Sequence, residues 1–296
     1  MKLEIKGLSK IYPNGHAAIR DINLEIGSGM FGLLGPNGAG KSSLMRILVT
    51  LQKATTGTMT MDGLDINENR KKIRPWIGYL PQDFTFFSKL KTWEFLDYSA
   101  RLSTSLKKKQ RIIEVDKMLD QVGLLDVRER MANKLSGGMK RRLGIAQALI
   151  GNPRILVIDE PTTGLDPEER IRFRNILSDL SQRDVTIILS THIVGDISST
   201  CHNMAMLHQG EVAYSGAPEG MIDEVREHVW QVTVSNEEFN LLKTKYPVIS
   251  TIPTLGEWET QLIATEKPHP LAQNISPNLE HAYVYFMENK LGISLV

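Results

Sequence analysis

Two hydrophobic periods alternate along the chain. The opening segments KLEIKGLSKIY and IRDINLEIGSG set apolar and polar residues on alternate positions, the pattern of short strands with one buried face. MFGLLGPNGAGKSSLMRILVTL then predicts a buried strand, a glycine-rich turn and a helix. GTMTMDGLDI predicts a hairpin-forming strand region, and WIGYLPQ a short strand stopped by Pro81. From Phe84 to Ile150 the spacing turns helical, as in WEFLDYSARLS and QRIIEVDKMLDQVGL, so a helical insertion over about 84–150 interrupts the sheet. The sheet resumes at RILVIDEP, whose unbroken apolar run Ile155 to Ile158 suits a central strand buried on both faces. PEERIRFRNILSDLSQ predicts an amphipathic helix and VTIILSTH another buried strand.

Strands alternating with helices predict an α/β core with a mostly parallel sheet, preceded by an antiparallel β-subdomain. After GEVAYSGAP the texture shifts to VWQVTVS, NEEFNLLKTKY, WETQLIAT and PNLEHAYVYFMENK, which read as a small α+β appendage. The expected domains are 1–221 and 222–296, a division that the length of 296 residues accommodates.

Composition narrows the class without naming it. Apolar residues make up 41% and charged residues 23%, as in an ordinary globular protein. No apolar run approaches the roughly 18 residues of a membrane span, so the chain is not itself expected to form a channel. MKLEIKGLSKIY lacks the apolar stretch of a signal peptide, and export is not expected. The lone Cys201 cannot form an intrachain disulfide, which fits the reducing cytoplasm. With a net charge of +1 no nucleic-acid partner is expected, and the basic run KKKQR at 107–111 reads as a solvated helix face.

The chemistry is concentrated in a few places. GPNGAGKS at 35–42 satisfies the phosphate-loop pattern G-x-x-x-x-G-K-[ST] and lies between a strand and a helix, where the mechanism needs it. The expected nucleotide-binding set is Gly35, Asn37, Gly38, Ala39, Gly40, Lys41, Ser42 and Ser43. Its glycines let the backbone wrap phosphates, Lys41 faces the β and γ phosphates, and the Ser42 hydroxyl is placed to ligate Mg²⁺. ILVIDE ends a buried strand with two carboxylates: Asp159 is read as holding the Mg²⁺ water shell and Glu160 as the general base that polarises the attacking water. His192 and Gln82 each follow a strand that ends at the same sheet edge. A neutral His192 imidazole suits a hydrogen bond to the γ-phosphate. The Gln82 amide oxygen is a hard ligand for Mg²⁺, at the start of the helical insertion that nucleotide state would move. KLSGGMKRRLG at 134–144 raises a separate question, because Ser136, Gly137 and Gly138 open a helix with bare backbone N–H groups, a second anion site in a chain with one phosphate loop.

In order, these motifs resemble the ATP-binding subunit of an ABC transporter: phosphate loop (35–42), Gln82, LSGGM (135–139), ILVIDE (155–160), GLD (164–166) and His192, covering residues 1 to about 220. The resemblance implies a P-loop ATPase with ATP and Mg²⁺, Tyr12 stacked on adenine, and Asp166 organising the contact between two ATPase subunits. The family's fifth signature residue is usually glutamine, whereas this chain has Met139. VRERMANK stands where fused drug exporters carry a glutamate-containing loop, so the chain looks more like the ATPase of bacterial exporters whose permease subunits are separate polypeptides.

A second copy resolves the question of two phosphate-binding turns. Two chains arranged head to tail let the LSGG turn of each close over the ATP of the other. The expected partners are therefore a second copy or a paralogous ATPase subunit, and integral membrane permeases at the inner face of the cell membrane. A different class, a soluble ABC ATPase acting on nucleic acid or the ribosome, is the alternative. Against it, the stretch from Lys41 to Ser136 has no sustained heptads and the chain no internal repeat. Phe84, Phe86 and Phe87 suit either a socket for a permease helix or packing within the helical insertion.

Overall fold

The alternating N-terminal segments form β1 (Leu3–Ile11) and β2 (Ala17–Ile26), paired antiparallel with Leu3 opposite Ile26 and Ile5 opposite Leu24, so their apolar positions share a buried face. The computed structural model describes residues 1–86, 89–182 and 185–293. β3 (Met30–Leu34) leads through the glycine turn into α1 (Lys41–Leu48), followed by β4 (Thr56–Met61) and β5 (Leu64–Asp65). β4 and β5 complete a four-stranded sheet of order β2-β1-β4-β5. Next come α2 (Arg70–Ile73), β6 (Ile77–Leu80), α3 (Thr92–Ser103), α4 (Lys108–Gln121), α5 (Gly137–Leu149) and β7 (Ile155–Asp159). α6 (Pro167–Ser181), β8 (Thr186–Thr191), α7 (Val194–Ser198), β9 (Asn203–His208) and β10 (Glu211–Gly216) follow.

The second sheet has the order β10-β9-β3-β8-β7-β6, with β6, β7, β8, β3 and β9 paired in parallel. Every residue of β3, β7 and β8 is buried, as their unbroken apolar runs require of strands covered on both faces. One core cluster joins the two sheets through α1: Leu3 and Ile19 from the first, Leu44 and Ile47 from the helix, Val157 and Ile188 from the second. In the helical insertion, Asp97 of α3 is buried and accepts from Arg111 of α4 and from Arg101, a paired charge at the contact between two helices. Phe84 and Phe86 pack edge to face on Phe95 of α3, within the insertion, and Phe87 lies outside the described residues.

The remaining elements are α8 (Pro218–Asp223), β11 (Val229–Ser235), α9 (Asn236–Lys245), β12 (Val248–Pro253), β13 (Glu257–Ile263), β14 (Gln273–Asn274), α10 (Leu279–Tyr285) and a π-helical turn Phe286–Lys290. They include an antiparallel sheet of order β12-β13-β11-β14 with its own core of Val232, Val234, Phe239, Leu242 and Leu262. The Ser235–Glu238 capping box starts α9 directly after β11. The chain divides into Met1–Ile193 with Thr200–Ser215, and Val194–Ser199 with Gly216–Val296. The division expected near Met221 thus falls inside α8, where Met221 is buried and its helix packs on α10. It also leaves out α7, which joins the second unit because it packs on α10.

Candidate active site

Parallel register brings distant motifs to one sheet edge. Leu80 lies opposite Ile158, Asp159 opposite Ser190 and Leu34 opposite Thr191, so the residues that follow, Gln82, Glu160, His192 and Gly35, emerge at the C-terminal ends of adjacent strands. That edge is where open α/β sheets place ligands.

The glycine turn there leaves no room for side chains at its ends. Gly40 caps α1 at φ 103°, and a Cβ on it would collide with the Ala18 carbonyl. Lys41 begins the helix and is only 4% exposed. Its Nζ donates to the carbonyls of Gly35 (2.7 Å) and Pro36 (3.1 Å) and sits 3.4 Å from Glu160 Oε1. The ammonium is thus folded back onto its own loop and onto the carboxylate read as the base.

Glu160 is the hub of the edge. It is 5% exposed, it holds φ at 46°, a conformation uncommon for a side-chain-bearing residue, and its N–H donates to the Ser190 carbonyl. Its Oε2 meets His192 Nδ1 at 3.0 Å and accepts from Thr163 Oγ1 (3.3 Å) and Gln82 Nε2 (3.5 Å). Four of the residues predicted from sequence, Lys41, Gln82, Glu160 and His192, therefore share one polar cluster. Asp159 is buried and accepts from Ser190 Oγ at 2.6 Å, which orients one carboxylate oxygen. The Asp159 charge and burial together push the Tyr79 phenol up to about 12, with burial the larger cause.

Tyr12 reaches the same place from β1's far end. Its hydroxyl is 3.0 Å from Ser43 Oγ and donates to Gln52 Oε1 at 3.1 Å, while its ring lies nearly parallel to His16, 6.4 Å between centroids. Tyr12, His16, Asn37, Lys41, Ser42 and Glu160 are among the residues lining a cleft of about 360 Å³. Half-buried Tyr12 and exposed His16 bring rings to the cleft and buried Lys41 a cation, the groups that a base and its phosphates require.

Neither Ser136, Gly137 nor Gly138 lines that cleft. Ser136 is the N-cap of α5, and its hydroxyl accepts from Met139 N at 3.2 Å. This cap uses the main chain of residue 139, so methionine there leaves it intact. A Cβ at Gly138 would run into the Glu169 carboxylate of α6, which is held by Arg142 (3.3 Å). Ser136 and Gly137 are exposed, and Gly137 lines a second cleft of about 330 Å³ with Gln82, Arg141 and Thr163. Asp166 is exposed and caps α6 by accepting from Glu169 N at 2.8 Å.

Sequence reasoning passed over Ser190, Thr163, Gln52 and His16. Ser190 and Thr163 lie next to residues already singled out. The signal that finds Ser190 is the parallel register that sets it opposite Asp159.

The family model described as ABC transporter matches residues 19–163. The chain is 33% identical over 251 residues to the uncharacterized ABC transporter ATP-binding protein YxlF of Bacillus subtilis, covering 84% of this chain and 82% of that protein. The chain belongs to the ABC transporter ATP-binding proteins. It is 37% identical to the uncharacterized ABC transporter ATP-binding protein sll0415 of Synechocystis over 71% of its own length, and spans 61% of that protein. It is 33% identical to the phosphonates import ATP-binding protein PhnC 2 of Synechococcus over 77% of this chain and 90% of that one. Among solved structures, the dimeric bacterial ABC transporter cassette MJ0796 matches with a TM-score of 0.67 and 27% identity, covering 73% of this chain and 98% of that one. A post-hydrolysis dimer of the same cassette bound to ADP and Pi matches with a TM-score of 0.66. As a member of this family the chain is an ATP-binding ATPase with a P-loop α/β fold. No helix among its described residues is long and apolar enough to cross a membrane.

Proposed function

We propose that this ATPase works as the motor subunit of a transporter, dimerising head to tail around two ATP molecules and driving separate membrane permeases from the inner face of the cell membrane. One observation carries the reading: Lys41, Glu160 and Gln82 line the phosphate-loop cleft while Ser136 and Gly137, both exposed, lie outside it, which supports a signature supplied by a second chain. In this reading Tyr12 stacks on adenine, and Gly35 to Ser43 wrap the phosphates. Lys41 exchanges its loop carbonyls for the β and γ phosphates, Glu160 takes the proton of the attacking water, and His192 hydrogen-bonds the γ-phosphate. Asp166 stands at the contact between subunits.

Ser42, Gln82 and Asp159 present hydroxyl, amide and carboxylate oxygens, hard donors that suit Mg²⁺. Among the described residues no cluster of three His, Cys, Asp or Glu could hold a metal alone, so the nucleotide phosphates would share the ion with these three. When bound, Mg²⁺ supplies neutralisation of phosphate charge.

Export is the finer reading, supported by VRERMANK before the signature and by the C-terminal unit, while relatives such as PhnC 2 are named for import. Affinity purification of the tagged chain from detergent-solubilised membranes is expected to recover a multi-span permease in fixed ratio with it. Recovery of ribosomes or DNA in place of a permease would favour the soluble alternative.

A further inference from the structure

One face of α5 runs along β6 and the loop that follows it. At Gly78 a side chain would collide with the Ala148 carbonyl, and at Gly144 it would press on Leu80 and Phe84. Arg141 Nη1 donates to the Gln82 carbonyl at 2.7 Å and the Pro81 carbonyl at 3.3 Å. Positions 148, 144 and 141 succeed one another at helical spacing and share a face, and the next residue on it is Gly137 of the signature. Close backbone packing thus fastens α5 to β6 at one end, and a charge-assisted hydrogen bond fastens it to the glutamine loop at the other. Arg141 is half-buried there, and Nη1 is shared between the two carbonyls.

We propose that Arg141 is a positioning residue that transmits movement of Gln82 into the signature turn of its own chain, so that ATP in a chain's own phosphate cleft sets how Ser136 is presented to the partner's nucleotide. The proposal rests on the reading of Gln82 as a nucleotide sensor and of the signature as acting across the dimer. Its physical basis is that the acceptor is the backbone of Gln82 itself. When the side-chain amide leaves Glu160 as nucleotide arrives, the loop either breaks from Arg141 or carries α5 with it. Ser136 caps that same helix and moves as part of it.

Hydrogen exchange tests the link in cis, on protein dilute enough for sedimentation to show a monomer, with a non-hydrolysable ATP analogue and Mg²⁺. In the wild type, exchange is expected to slow at 35–43 and 81–86 and to change by about threefold at 136–141. Arg141→Met should keep the first two responses and lose the third, and Arg141→Lys should restore part of it. The same Met variant should lower kcat about tenfold with KM for ATP within about twofold, a split that general loosening would not produce. Should Arg141→Met fail to fold, the lysine variant serves alone, and a response at 136–141 smaller than the wild type's is required. A response at 136–141 that survives loss of the guanidinium, or that is missing in a wild type whose 35–43 segment responds, overturns the proposal. No response at 35–43 would overturn the nucleotide-site reading as well.

Discussion

Glu160→Gln is expected to slow ATP hydrolysis by about a hundred- to ten-thousand-fold, the loss that follows removal of a positioned general base. Glutamine keeps the size of the side chain and an acceptor for Thr163, so the cleft retains its shape, but it cannot take a proton. The same change removes the carboxylate 3.4 Å from buried Lys41, which then has only the Gly35 and Pro36 carbonyls as partners in the absence of nucleotide. The variant should therefore melt below the wild type without ATP and recover when ATP·Mg²⁺ supplies anionic oxygens in place of Glu160. Steady-state phosphate release and a thermal melt with and without ATP check both halves. Turnover within a few-fold of the wild type would remove Glu160 from the role of base.

Lys41→Ala should act on binding. A cation facing the β and γ phosphates contributes hydrogen bonds to a charged group, so its loss is expected to weaken ATP affinity about 10- to 100-fold, or ~1.5–3 kcal/mol. Glu160 would also be left more than nine-tenths buried without its lysine, keeping His192, Thr163 and Gln82. His192→Ala offers the contrast. His192 is more than one-third exposed and meets the cluster only through Nδ1, so its removal should leave affinity within about threefold and lower turnover about a hundredfold, as the loss of one donor to a developing charge does. Isothermal titration beside single-turnover hydrolysis separates the two, and equal losses of affinity in both variants would contradict the γ-phosphate role of His192.

What the chain discloses in advance depends on how local the determinants are. The apolar runs of β3, β7 and β8 identify buried parallel strands because burial on both faces leaves no alternation to misread. β9 escaped the pattern, since NMAMLH lacks β-branched residues and is a strand by virtue of pairing with β3. β12 is likewise held by β13 while exposing most of its side chains. In the site, Lys41, Gln82, Glu160 and His192 were legible because each follows a strand at a recognisable motif. Their arrangement around a single carboxylate was not, because the hydrogen bonds span up to 78 residues of sequence. Glu169 beneath Gly138 and Arg141 on the glutamine loop depend on how α5 lies against α6 and β6, which no local period encodes.

The assignment of the signature to the partner's ATP is tested most directly by mixing two inactive chains, one carrying Lys41→Ala and the other Ser136→Arg, with Ser136→Glu run beside it to separate bulk from charge. In a head-to-tail heterodimer one site combines both lesions and the other has an intact Lys41 facing an intact Ser136. Single-turnover ATP cleavage by the verified heterodimer is the measurement. Cleavage well above either parent, at one site per dimer, is the expected result. Cleavage no higher than the parents in both pairings, with no ATP-dependent dimer formed by the mixture, would contradict the assignment.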